Sequence, residues 1–526
     1  MKMPSWQSIA IILSILAILP IWIIDVAPLS DWPFHLAVSR EAFLLLTNQV
    51  QSDFYRVDFS FLGYSLPHAI LIFLQYFTDI FTAGKIFLSL LFLMSIFCWY
   101  WAFEFLDSSK KGYFLLGLVA NQSAYYFLGM VSFLFAVHIG ILWLAVSFTK
   151  KLPLNQKYIL FLSLAILVYL SHGYVFFLLS VPIFAWLFYD AVINKQKSAA
   201  VLVIFNVVLL LFAGANTFSN NSLGRDLTYS VKINSCNLEQ SVLFEHSLFD
   251  QKKNFTLEFF FGVYSNTFSI LPIGYFIPLL SNPIALLSIL TLFILLILKL
   301  SSLISSEKFI FHPPAISGLA INKNYALTSA YFYAHFLFIP FSAASIYFFN
   351  ERSIPFLTAF AALSFKNENW DKIILNSLLA IVVVSLIFQA LSFYSNISEQ
   401  EKIIYSIKEI ASKIPNDSAV MIFSSDWNSR IYTPLSPVQK NPQYHALLLI
   451  YNPNIYVSNM FLFQDTFILR SNFKIFDEFR VWYSSNKELD DAVYNKCYSP
   501  IPAEFDYYIS RNMALVENKN ITDTLR

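Results

Sequence analysis

The chain has 526 residues, of which 57% are hydrophobic and 13% charged, with a mean hydropathy of +0.59. That is too apolar for a water-soluble fold, so the bilayer is the solvent for most of it. A formal net charge of +1 and the lack of a basic helix give no surface for nucleic acid. The first apolar run, Ile9 to Ile24, follows Lys2 and has no small-residue cleavage site after it, so it reads as an uncleaved first span. Pro33 to Leu46 predicts a helix outside the bilayer. Ser30 or Asp31 can cap it, Pro33 suits its first turn, and His35, Ser39 and Arg40 can share a face. Pro67 to Phe81 is short and contains Asp79, which predicts an interfacial helix, and the next span runs over 84–106.

Lysines then set the orientation, because cations in short loops favour the cytoplasmic side. Lys110–Lys111, Lys150–Lys151 with Lys157, Lys195 with Lys197, Lys299 with Lys308, and Lys366 with Lys372 punctuate the apolar runs, so each interval crosses twice or not at all. The interval 113–148 breaks at Asn121–Gln122–Ser123 to Gly129, 158–190 at Ser171–His172–Gly173, and 326–365 at Asn350–Glu351–Arg352; these are the expected outer turns. The polar segment 218–262 is a second outer loop beside the first, 26–83, and the aromatic, proline-broken stretch 255–281 leaves the helix count open by about two. The last span, 372–392, exits to the outside. After it Glu, Asp, Lys and Asn become frequent. Ser398 with Glu401 predicts a capping box before an amphipathic helix Ile403 to Ile414, followed by strands at Ala419 to Phe423 and Phe505 to Ser510.

The fold expected is an all-α polytopic membrane protein of about eleven transmembrane helices (1–394) with a small α/β extracytoplasmic domain (395–526). Both termini are thereby placed, the N-terminus in the cytoplasm and the C-terminus outside, in what reads as the inner membrane. Cys98 reads as an apolar filler, whereas Cys236 and Cys497 fall where a disulfide is permitted.

No Walker loop, dinucleotide fingerprint, zinc-spaced Cys/His set or nucleophile elbow is present. The polar groups that call for explanation lie at the outer helix ends. Asp31 has two competing roles: a cap, whose accepted N–H bonds would lower its pKa, or a partly desolvated general base. His35, four residues on, could share a metal or a proton with it, although two ligands do not make a divalent-metal site. Arg352 can clamp a phosphate with two bonds or anchor at the interface beside Glu351. His172 can touch substrate or be solvated, and His335 within a span can bond across helices. Asp58 and His68 are weaker candidates.

The segment Ser30-Asp31-Trp32-Pro33-Phe34-His35-Leu36-Ala37 with Arg40-Glu41, then Leu66-Pro67-His68 and Ala83-Gly84-Lys85, resembles the outer loop of the GT-C glycosyltransferases, which include protein O-mannosyltransferases and aminoarabinose transferases. The likeness spans roughly residues 8 to 190 in plan and a dozen in detail. It implies a GT-C-like fold, a polyprenyl-phosphate-linked sugar as donor, an unknown acceptor, Asp31 as the base of an inverting transfer, and His35, Arg40, His172 and Arg352 as substrate-binding groups. Two rival readings stand beside it. One is a non-catalytic scaffold of the same plan, since Trp32 stands where many members have an acid and 121–129 lacks a second one. The other is a transporter or flippase of lipid-linked saccharides, which calls for charges at mid-membrane depth. The topology has a direct check: a reporter after Arg526 is expected on the outer side and one after Lys197 in the cytoplasm, and the reverse pattern overturns the orientation.

Overall fold

A computed structural model of the chain describes residues 6–220, 320–422 and 444–457, apart from short interruptions, together with brief strands at 230–241, 469–471, 507–509 and 515–517. Most of the 218–262 loop, the 255–281 stretch, Lys299, Lys308, Asp58, Cys236 and Cys497 lie outside the described residues.

The chain is mostly helical. Helix α1 (Trp6–Trp22) is followed by α2 (Trp32–Leu46), strand β1 (Tyr55–Val57), α3 (Ser65–Leu74) and α4 (Ile80–Leu106). A 3-10 turn at Ser108–Phe114 runs into α5 (Leu115–Asn121), and α6 (Ala124–Phe127) precedes α7 (Val131–Phe148), α8 (Leu154–Ser171), α9 (Gly173–Val192) and α10 (Lys197–Asn220). After the undescribed stretch come α11 (Lys323–Phe338), α12 (Ile354–Ser364) and α13 (Glu368–Lys413). Among the described residues six helices are long and apolar enough to cross a bilayer: α4, α7, α8, α9, the 197–215 part of α10 and the 371–413 part of α13.

Several boundaries differ from the sequence reading. Helix α3 stops at Leu74, and Asp79 does not belong to it: its carboxylate accepts from Phe81 N at 2.9 Å and Thr82 N at 3.1 Å and so caps α4. The interval 113–148 holds one long helix, not two. Its first part is the 3-10 turn and the seven-residue α5, and Asn121, Gln122 and Ser123 are buried where a solvated turn is expected. Their amides find partners inside: Asn121 Nδ2 donates to Leu91 O at 3.2 Å, His138 Nε2 meets Asn121 Oδ1 at 2.7 Å, and Gln122 Nε2 donates to Gln389 Oε1 at 2.7 Å. The amide N–H groups of Asn121 and Gln122 and the Asn121 oxygen are met by bonds inside the bundle, so the turn tucks inward. The break at His172 falls where expected.

The largest departure is α13. Ser398 and Glu401 do not start a new helix, because 368–413 is one helix of 46 residues. No Pro or Gly interrupts 390–405, so nothing stops the turn-by-turn ladder at the bilayer edge. Beyond it, β2 (Ala419–Ile422), β3 (Tyr456–Val457), β4 (Leu469–Ser471), β5 (Tyr507–Ile509) and β6 (Leu515–Glu517) appear, with the short α14 (Leu447–Tyr451) between β2 and β3. Four of these strands make one sheet in the order β6-β5-β2-β3, with β2 parallel to both β3 and β5 and β6 antiparallel to β5. The remaining strand, β4, pairs antiparallel with β1 of the first loop, Tyr55 opposite Ser471.

Lysines gather at one end of this bundle. Lys110 binds Asp371, which also accepts from Tyr113 Oη at 2.7 Å; Lys111 pairs with Glu104 at 2.6 Å; and Lys157 Nζ donates to Thr149 O at 2.7 Å. The start of α4 packs on α2, where a Cβ at Gly84 would lie 2.8 Å from Leu36 and 3.1 Å from the Trp32 ring. The 27 residues of α4 therefore separate α2 from the lysine end by about 40 Å.

The C-terminal elements are tied to the first loop. Gln400 of α13 accepts from Val26 N at 3.2 Å, donates to Val26 O, and donates to Tyr444 Oη at 2.5 Å; Tyr55 Oη accepts from Val457 N at 3.1 Å. Gln400→Ala removes three bonds from a buried spot, and unfolding in detergent should show a loss of about 2–3 kcal/mol; an unchanged melting curve would remove Gln400 as a fastening point.

Candidate functional site

Asp31 sits at the N-cap position of α2, but its side chain makes no capping bond. The capping role considered from sequence is therefore not the one adopted. Another element fixes the start of this helix. Ser30 N donates to Phe127 O at 2.9 Å, and Gly129 is pressed against the Asp31 backbone: a Cβ there would lie 2.7 Å from Asp31 N. Gly129 also has φ +77°, so glycine is required twice over.

His35 is buried, with Nδ1 3.3 Å from His68 Nε2, and His68 Nδ1 is 3.0 Å from Ser39 Oγ. The His35 ring also bonds the Gly129 carbonyl, and burial lowers its pKa to about 4, so it stays neutral. Among the described residues no three His, Cys, Asp or Glu side chains gather closely enough to hold a metal ion. With the ring nitrogens of His35 and His68 engaged in this chain, the residues here do not fit a divalent cation. Arg40 is half-buried on α2, its guanidinium 5.8 Å from the Phe43 ring and within electrostatic reach of Glu41 and Asp79.

A second group forms around Arg352, whose residue is only 3% exposed. Its Nη1 donates to His172 Nε2 at 2.7 Å and to Tyr64 Oη at 3.4 Å. The guanidinium carbon stands 5.6 Å from the Phe133 ring and 5.8 Å from the Tyr174 ring, a cation–π arrangement on two sides. Tyr174 Oη is 2.5 Å from His335 Nε2, which brings α11 into the same cluster. His172 is buried, and burial together with Arg352 holds its pKa well below the ordinary histidine value. Both His172 nitrogens face donors, since Val175 N lies 3.4 Å from Nδ1. Nδ1 of His172 caps the start of α9 and Nε2 lies against the Arg352 guanidinium, so His172 joins the two.

The two groups adjoin. Gly129 lies on the Asp31 backbone and Phe133, four residues later, lies against Arg352. The Gly63–Tyr64 segment seats on the α8–α9 turn, with Tyr64 N donating to Leu170 O at 3.1 Å and a Cβ at Gly63 meeting Gly173 N at 2.3 Å. The structure thus brings together His172, His335 and Arg352, with the Asp31 backbone linked to them through the Gly129–Phe133 stretch, and it packs His35 behind Asp31 against His68. Tyr64, Tyr174 and Gly129 carried no sequence signal strong enough to single them out; a glycine before an apolar run and tyrosines beside turns are common.

Glu41, part of the motif but not singled out, is the most unusual group nearby. It is 0% exposed, and neither carboxylate oxygen has a hydrogen-bond partner. Burial pushes it up to about 8 from an ordinary 4.5, against the opposing pull of Arg40.

Comparison with known proteins places this geometry in context. No family model matches the chain, and no curated protein matches it. Among solved structures, ArnT from Cupriavidus metallidurans bound to undecaprenyl phosphate is similar at 11% identity over 87% of this chain and 90% of that one, with a TM-score of 0.42. The apo state of the same protein is similar at 11% identity over 80% and 82%, with a TM-score of 0.44. At this identity and with TM-scores below one half, the two matches carry no reaction over to this chain.

Glu41 sets a pH dependence whose sign is fixed. Below pH 4.5 folded and unfolded chains both hold the proton; between 4.5 and 8 only the folded chain does, so stability falls as pH rises through that window and the cost is complete above 8. Glu41→Gln should therefore melt a few degrees higher than the parent at pH 8 and equally at pH 4. A gap of the same size at both values would show that the carboxyl titrates normally.

Proposed function

We propose that this chain is a membrane glycosyltransferase that takes a sugar from a polyprenyl-phosphate donor at the outer face of the inner membrane. The observation that carries this reading is the buried Arg352–His172 pair, ringed by Tyr64, Tyr174 and Phe133, at the bundle end that also bears Asp31 and opposite the lysines. A guanidinium and helix-start N–H donors suit an anion, and an apolar surround of spanning helices suits one that arrives on a lipid chain.

In this reading Asp31 acts as the base. Its side chain makes no bond to the first turn of α2 and is partly exposed, so an acceptor hydroxyl can approach the carboxylate. The hydroxyl proton passes to Asp31, the oxygen attacks the anomeric carbon, and the bond from that carbon to the phosphate oxygen breaks with inversion. The departing lipid phosphate keeps the bonding electrons, and Arg352 neutralises the charge that develops. The Lys-rich end stays in the cytoplasm.

A non-catalytic scaffold of the same plan is the second reading. One observation favours it: the position after Asp31 is Trp32, buried and stacked on Phe87 at 5.9 Å, where an acid would otherwise face the site.

Asp31→Asn is expected to accumulate in the membrane and to abolish the surface glycan that the wild type adds, whereas Arg352→Lys, which keeps charge but loses the two-pronged grip, should cut its formation by about tenfold to a hundredfold. Comparison of surface glycans with and without the protein reads both. Wild-type glycan from the Asn variant would remove Asp31 as base, and identical glycans with and without the protein would favour the scaffold.

A further inference from the structure

The Asp31 backbone owes its position to a neighbour and not to its own cap, since Phe127 O and Gly129 hold residues 30 and 31. Gly129 N donates to Tyr126 O at 2.8 Å and its carbonyl accepts from Val131 N at 2.7 Å, and the His35 ring adds a bond to the same carbonyl. A nitrogen that bonds a carbonyl must carry hydrogen, and His35 Nδ1 faces His68, so Nε2 is the protonated nitrogen. Nδ1 then accepts, which obliges His68 to donate from Nε2 and leaves His68 Nδ1 to accept from Ser39 Oγ. Ser39 is pinned as well: Gln75 Nε2 donates to its carbonyl at 3.0 Å and to Leu71 O at 3.3 Å, locking α2 to α3.

We propose that His68 is a positioning residue for Asp31: a one-way chain of donors, Ser39 Oγ–H to His68 Nδ1, His68 Nε2–H to His35 Nδ1 and His35 Nε2–H to the Gly129 carbonyl, sets the turn that carries the Asp31 backbone. This rests on Asp31 being the base. With both rings neutral the chain has one sense only. Reversing His68 would then set its bare Nε2 against the bare Nδ1 of His35, and doubly protonating His35 would set hydrogen against hydrogen unless His68 and Ser39 reversed together. Burial keeps both rings neutral, and His35 further lowers the tendency of His68 to charge. A catalytic group must be held within a fraction of an ångström, and a ring of fixed tautomer with two partners is a stiff strut.

Nitrogen NMR of full-length, histidine-labelled protein in detergent tests the chain. The signals of His35 and His68 are assigned by their absence from variants lacking each ring. Wild type is expected to show both rings neutral with hydrogen on Nε2, down to about pH 4 for His35. His68→Leu should leave His35 a mixture of tautomers that protonates at a higher pH, and should lower glycan formation by about tenfold to a hundredfold without lowering accumulation. His68→Gln places an amide N–H where Nε2–H stood and should restore most of both readouts. Hydrogen on Nδ1 of His35 in the wild type overturns the proposal, as does a Leu variant with wild-type rate and pH profile while Asp31→Asn is inactive. Should the Leu variant not accumulate, Ser39→Ala decides: an unchanged His68 tautomer there sinks the chain. If Asp31→Asn keeps full activity, the functional reading fails by itself, and the tautomer signals still judge the strut.

Discussion

The structure depends on a fifteen-residue helix that is not among the candidate spans yet is buried almost everywhere. Twelve of the fifteen residues of α2 are buried, among them His35, Ser39 and Glu41. A helix in that position must satisfy polar side chains with protein partners or hold them uncharged. On one side α2 is packed by α3, α4 and the 127–129 turn, and on the other by β1 and the 444–451 segment. The helix is thereby held by five separate parts of the chain, which is how a residue at its start acquires a fixed position.

Burial answers the polar groups of α2 in two ways. On the α3 side, His35, His68, Ser39 and Gln75 bond one another and the backbone, so each donor meets an acceptor. Glu41 has no such answer and keeps its proton instead. The two act in opposite senses as pH changes: the neutral histidines favour folding more as pH rises through the window below 6.5, while Glu41 favours it less from 4.5 to 8.

How much of this was legible in the sequence follows from which forces act locally. The break at His172 is clear because Ser-His-Gly interrupts two apolar runs, and the lysine rule separates the two bundle ends because charge must leave the hydrocarbon. The strands at 419–422 and 507–509 show as apolar runs beyond the last span. The inward tuck of Asn121 and Gln122 was not legible, because it depends on His138 and on Gln389, 267 residues away from Gln122. The uninterrupted α13 was misread for a related reason: Ser398 and Glu401 have the spacing of a cap, but a capping motif inside a helix already propagating has nothing to begin. At the site, Asp31, His172 and Arg352 stand out as polar groups at helix ends. Their mutual arrangement needed Gly129 and Tyr64, whose roles arise only from what lies opposite them.

Helix α13 also has a mechanical meaning. Forty-six residues make a rod about 69 Å long, and polar staples fasten it at three heights: Asp371 to Lys110 and Tyr113, Gln389 to Gln122 and Tyr126, and Gln400 to Val26 and Tyr444. With no hinge between the lowest staple and the highest, the terminal sheet cannot swing like a flap on a tether. It behaves as the head of a mast stepped deep in the hull, so a load applied to the head is felt at the keel.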